Sequence, residues 1–135
     1  MSDKMTLHVD VANNATLVDN TFTFFDLYQN RAVYHSANHT IASPDTLTLY
    51  RTIPKQSGNF PGQAKVAAKF SKNVIVKGND GTDVSGPIIT EISTSYPVGT
   101  PNSVLLAERQ KAIALIDRDD LMVPFVSRQA ILISD

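Results

Sequence analysis

The chain has 135 residues, 42% of them hydrophobic, and a formal net charge of −1. That length and apolar content build one core of ordinary domain size, and the near-neutral balance excludes a molecule that is basic throughout. Cysteine is absent, which removes disulfides, thiolate metal sites and cysteine nucleophiles and fits a reducing compartment.

No apolar run reaches the roughly 18 residues a membrane helix needs, and no basic segment leads a hydrophobic one at the start, so a soluble protein without a signal peptide is expected. The cations are unevenly spread. Residues 51–79 hold six basic side chains (Arg51, Lys55, Lys65, Lys69, Lys72, Lys77) and no acid, half of the twelve cations in the chain. Such a cluster is a candidate footprint for a polyanion.

Residues 6–11 alternate polar and apolar side chains, Asn13-Asn14 supplies a turn, and residues 15–18 return, which predicts an opening hairpin. Residues 21–25 and 31–35 follow as short strands. In residues 46–53, Thr46, Thr48, Tyr50 and Thr52 fall on one side and Leu47, Leu49 and Ile53 on the other. After turn residues Pro54, Gly58, Pro61 and Gly62, the next run repeats the division: Gln63, Lys65, Ala67, Lys69 and Ser71 oppose Ala64, Val66, Ala68 and Phe70. Two neighbouring strands of this kind make one wet face of Thr, Tyr, Gln and Lys. Residues 73–76 and 88–92 read as further strands. Asp80-Gly81 alone would serve a tight hairpin between them, yet residues 77–87 read as turn throughout and predict a long loop.

The period then changes. Thr100 as N-cap and Pro101 at the first position open a helix over residues 103–116, with Leu105, Ala112, Ile113 and Ile116, and Leu106 beside them, on one stripe. Asp117, Asp119 and Asp120 interrupt the pattern, and a shorter helix is expected from about Pro124 to Ala130. The run Ile131-Leu132-Ile133 is apolar enough to need a contact within the chain or with another copy.

Six or seven antiparallel strands followed by helices give an α+β protein. A helix of about 15 residues is ~22 Å long and ~10 Å wide, too narrow to cover a sheet whose strands lie ~4.8 Å apart. A second copy lending its helix solves this, and joining two sheets edge to edge removes an exposed edge, so a homodimer is expected.

The order of these features carries a resemblance: Ala32-Val33-Tyr34-His35-Ser36-Ala37-Asn38, a polar-faced strand ending in Arg51-Thr52, a basic strand with Lys65-Val66-Ala67, a long loop closing in Gly-Pro, and Thr100-Pro101-Asn102-Ser103 opening a helix. Over nearly the whole chain this resembles the coat proteins of the small single-stranded RNA bacteriophages, of levivirus type. The resemblance implies one coat protein domain over residues 1–135: an N-terminal β-hairpin (1–20), a five-stranded antiparallel sheet (21–99) and a helical C-terminal region (100–135). It implies an interlocked homodimer with a continuous ten-stranded sheet whose helices cross the partner's sheet. Dimers would close into an icosahedral shell, usually of T=3 geometry, in the bacterial host cytoplasm. The inner face would bind genomic RNA, including a hairpin through which translation is repressed, and a maturation protein is an implied partner. The segment holding Lys77, Gly78, Asp80, Gly81, Gly86 and Pro87 would meet its copies around the symmetry axes, where the three glycines allow several backbone conformations and the Gly86-Pro87 bond could be cis.

Phosphates demand cations, and exposed bases are read by stacking and short polar side chains. Lys65 and Lys69 suit the first; Tyr50, Thr46, Thr48, Thr52 and Gln63 suit the second, with Ser93 and Ser95 weaker candidates and Glu91 a base contact. Alternation puts Arg51 on the Leu47/Leu49 side, whereas the family match puts it among the RNA-facing positions; alternation is favoured. His35 and His39 are four apart but in a strand end and loop, without a third ligand, and the aspartates lack the glycine and glutamate of a calcium loop. No metal, cofactor, membrane contact or catalytic constellation is expected. The competing reading is a non-viral β-rich oligomeric RNA-binding module.

Overall fold

The computed structural model describes residues 3–131. They fall into two compact units that divide between Val98 and Gly99. Leu132 and Ile133, part of the apolar run noted above, lie outside the described residues.

Period-two alternation becomes six strands: β1 (Lys4–Val9), β2 (Val18–Tyr28), β3 (Arg31–Ser36), β4 (Asp45–Thr52), β5 (Gln63–Lys77) and β6 (Asp83–Pro97). They pair antiparallel in sequence order, so β1 and β6 are the two edges of one sheet. The expected hairpin and five-stranded sheet are therefore a single six-stranded layer.

The opening turn is wider than Asn13-Asn14. The Asp10 carboxylate accepts the N–H groups of Asn14 (2.9 Å) and Ala15 (2.7 Å), which takes residues 10 and 11 out of the strand. The return arm and residues 21–25 are one strand rather than two. Asp19 and Asn20, which look like a break, are held in β2 by pairing: Asp19 is in register with His8, 2.5 Å from its Nδ1, and Asn20 with Leu7. Gln29 and Asn30 both take positive φ (45° and 66°), the two-residue turn that matches strand twist, and join β2 to β3.

The predicted loop over residues 77–87 is mostly strand. β5 and β6 stay in register out to Lys77↔Asp83, so Gly86 pairs with Val74 and Pro87 with Asn73, and only residues 78–82 form the tip. Proline is tolerated because β6 is an edge strand. The tip is closed by its own hydrogen bonds: Gly78 N–H to Thr82 O (2.7 Å), and Thr82 N–H and hydroxyl to the Asp80 carboxylate (3.0 and 2.7 Å). Gly81 sits at φ 84°, where a side chain would be strained. There is no cis peptide bond among the described residues. β4 pairs with β5 only as far as Asp45↔Lys72, so residues 73–87 form a two-stranded ribbon extending past β4.

The sheet separates its faces sharply. Register puts Phe22, Phe24, Tyr34, Leu47, Leu49, Val66, Phe70 and Ile92 on one side. Only Phe22 and Leu47 there are buried, at 6% and 2% exposure, while Ile92 remains 50% exposed. Phe22 meets Phe70 edge to face at 6.0 Å between centroids.

In the second unit, α1 spans Asn102–Ile116 and α2 spans Asp119–Arg128. Thr100 is not the cap of α1: Pro101 takes that position in extended backbone, and its carbonyl accepts the N–H groups of Val104 and Leu105. No residue of α1 is buried; Leu105 is half-buried, and Leu106, Ala112, Ile113 and Ile116 are exposed. α2 starts at Asp119, well before Pro124, which lies inside it. Acidic Asp119 and Asp120 suit a helix N-terminus, and Arg118 grips the Asp120 carboxylate with two hydrogen bonds of 2.9 and 2.6 Å. That grip holds the Asp120 carboxyl below the usual range. Ile131 joins Leu115, Leu121, Met122, Phe125 and Ala130 around an apolar crevice.

Candidate nucleic-acid interface

Cross-strand partners share a face, so the register lays out the other side of the sheet in rows. Thr52 is in register with Lys65 and Lys65 with Ser95; Tyr50 with Ala67 and Ala67 with Ser93; Thr48 with Lys69 and Lys69 with Glu91; Thr46 with Ser71. Tyr50, Thr52, Lys65, Ala67 and Glu91 line one shallow hollow. Gln63 donates from Nε2 to the Ser95 hydroxyl at 3.2 Å, fixing the end of that row.

Thr46, Thr48, Tyr50, Thr52, Gln63, Lys65, Lys69, Glu91 and Ser93 are thus gathered on one surface of β4, β5 and β6. Arg51 is not among them. It pairs with Val66 on the side of Leu49, and its Nε donates to the Asn30 side chain at 3.3 Å. Lys77 and Asp83 form an ion pair of 2.5 Å at the base of the ribbon tip, far along β5 from Lys65.

Register also adds residues that the sequence reading left out. Arg31 on β3 is opposite Tyr50, with its guanidinium carbon 4.9 Å from the ring centroid, an arrangement that holds a cation over an aromatic face. Alternation within residues 31–35 carried that signal, but the pairing of β3 with β4 was needed to use it. His35 is opposite Thr46 and so lies on the same face.

The His35 and His39 rings are stacked with centroids 3.8 Å apart. The Nδ1 of His39 accepts the Asp45 N–H at 3.0 Å, so that nitrogen is already engaged. Partial burial, and next the neighbouring His39, lower the pKa of His35 below its ordinary value. Among the described residues no three potential ligands gather around a metal position, and no helix is long and apolar enough to cross a membrane.

No family model matches the sequence, and no curated protein matches it. Solved structures do. The virus-like particle of bacteriophage AVE019 superposes with a TM-score of 0.75 at 16% identity, covering 98% of each chain. That of Wenzhou levi-like virus 4 gives 0.72 at 22% identity, over 98% of this chain and 90% of the other. That of Beihai levi-like virus 21 gives 0.72 at 13% identity, covering 99% of each. At such identities the likeness lies in the fold: a six-stranded antiparallel sheet followed by two helices. The chain has the coat protein fold of the single-stranded RNA phages, the fold of the subunits in levi-like virus particles.

Proposed function

We propose that the chain is a structural coat protein, not an enzyme, that dimerises and assembles into a closed shell around single-stranded RNA. The observation that carries this reading is the uncovered apolar side of the sheet, in a chain whose fold is that of virus-particle subunits. Val66, Ile88 and Ile92 on β5 and β6 are each about half exposed, as are Leu106 and Ile113 on α1. Apolar surface on that scale, in two places, needs a partner surface. A second copy supplies both: its α1 lies over this sheet, and this α1 over its sheet.

Strand β6 gives the dimer its seam. It is 15 residues long and lies at an edge, and an open edge of that length invites pairing with another strand. Two copies joined β6 to β6 form one continuous sheet. Its apolar side takes the exchanged helices and its Thr, Tyr and Lys side is left for RNA. Both compact units act together as one coat subunit, and the ribbon of residues 73–87 reaches outward to neighbouring dimers.

On the inner face, Lys65 and Lys69 neutralise phosphates, while Tyr50, Thr46, Thr48, Thr52, Gln63, Ser93 and Glu91 approach the bases. An RNA hairpin held there would repress translation and mark the genome for packaging, and a maturation protein would complete the virion. The test is electron microscopy of the purified recombinant protein. Uniform closed hollow particles containing RNA are expected; dimers or small rings at every salt concentration would overturn the reading in favour of a non-viral RNA-binding module.

A further inference from the structure

Three rings on the polar face form a column that the contacts above do not use. Phe25 of β2 stacks on His35 of β3 with centroids 4.1 Å apart and 18° between planes, and His35 stacks on His39 at 3.8 Å and 22°. Phe25 reaches that face by plain strand alternation, two residues after Thr23, which is opposite His35. The register of β2 against β3 shifts between Phe24 and Asp26, with Phe24 opposite Tyr34 and Asp26 opposite Val33. Phe25 and Asp26 therefore both sit on the polar side, and Phe25 remains there at 63% exposure.

One end of the column is anchored and the other is open. His39 is fixed by the Asp45 N–H at its Nδ1 (3.0 Å) and by its own N–H to Ser36 O (3.0 Å). His35 is held in register between Thr23 and Thr46. Phe25 covers His35 on one side and turns its other side to solvent. Through Thr46 and Ser71 the column stands on the same surface as Lys65 and Lys69.

We propose that the Phe25–His35–His39 column is a stacking platform for an unpaired base of single-stranded RNA. The inference rests on the reading of this face as the RNA side. A rigid aromatic surface beside cationic side chains is what sequence-tolerant single-strand binding requires, since every base has a π-face and the phosphates flanking it need neutralising. Phe25 takes the base on its open face, and the two imidazoles hold the phenyl ring flat. RNA lying across Lys65 and Lys69 thereby extends over β2 and β3, well away from the β6 edge.

The experiment is a titration of a labelled mixed-sequence single-stranded RNA oligonucleotide with the full-length protein, with light scattering to follow assembly. The variants are Phe25→Leu, Phe25→Tyr and Lys65→Ala/Lys69→Ala. Phe25→Leu keeps apolar bulk at an exposed site, and matched circular dichroism and melting confirm its fold. Affinity should fall about ten-fold in Phe25→Leu, with the slope against salt unchanged, and recover in Phe25→Tyr. The lysine variant should lose both affinity and slope. Wild-type binding by Phe25→Leu beside weakened binding by the lysine variant overturns the platform and leaves the RNA face standing. Loss of assembly with unchanged RNA affinity assigns the column to a contact between subunits, and overturns it too. Unchanged binding in all variants removes the RNA face and the platform with it.

Discussion

Thr52 and Lys65 are direct cross-strand partners on the polar side of the sheet, while Arg51, one residue before Thr52, pairs with Val66 on the apolar side. Adjacent residues of one strand thus belong to surfaces with different partners. The distinction sorts three cations in the 51–79 cluster into two groups, Lys65 and Lys69 against Arg51.

Replacing Lys65 and Lys69 together by alanine should weaken RNA binding and flatten its dependence on salt. Each phosphate contact on a single strand contributes about 0.7 to the slope of log K against log salt, so the pair should remove roughly 1.4. Arg51→Ala should change that slope far less. Filter binding or anisotropy across a salt series checks this, and a larger slope change in Arg51→Ala would show that the opposite face meets the RNA.

The state of His35 predicts a pH dependence of stability. Partial burial and the adjacent His39 lower its pKa in the folded chain, so around and below the ordinary value of about 6.5 the unfolded chain binds more protons. Stability contributed at this position is complete well above about 6.5. It declines as pH falls through that value toward the lowered folded pKa, and levels off below it. Urea denaturation between neutral and mildly acidic pH should show this decline, and His35→Phe should reduce it. An equal decline in His35→Phe would place its origin elsewhere.

Polar substitution on α1 probes the dimer. Leu105, Ile113 and Ile116 are unburied in the single chain, and each gains about 2 kcal/mol if a second copy covers it. Ile113→Asn/Ile116→Asn should therefore dissociate or unfold the dimer, read by size-exclusion chromatography with light scattering. A dimer of unchanged stability would show that the helix stripe faces solvent in the assembly.

Period-two alternation in residues 46–53 and 63–71 was enough to separate Tyr50, Thr52 and Lys65 from Leu47 and Leu49, because a strand backbone alone sends neighbouring side chains to opposite faces. The same local logic failed in residues 77–87. Glycine and proline there look like turn, but the strand extends through Gly86 and Pro87 because a partner in β5 is available at every step. It failed again at Pro124, where the acidic first turn and the Arg118 grip on Asp120 start α2 earlier than the proline suggests.

The stacked Phe25, His35 and His39 rings were legible only as separate residues. Alternation puts Phe25 on the side of Thr21 and Thr23, away from Phe22 and Phe24, but nothing local shows that β3 brings His35 beside it. The sequence by itself determined which side chains share a face within each strand and where strands give way to helices, since both follow from the period of the backbone. The tertiary structure decided which strands are neighbours, where the register slips and which end of the sheet is left open. Those depend on pairing between segments far apart in the chain, which no local pattern encodes.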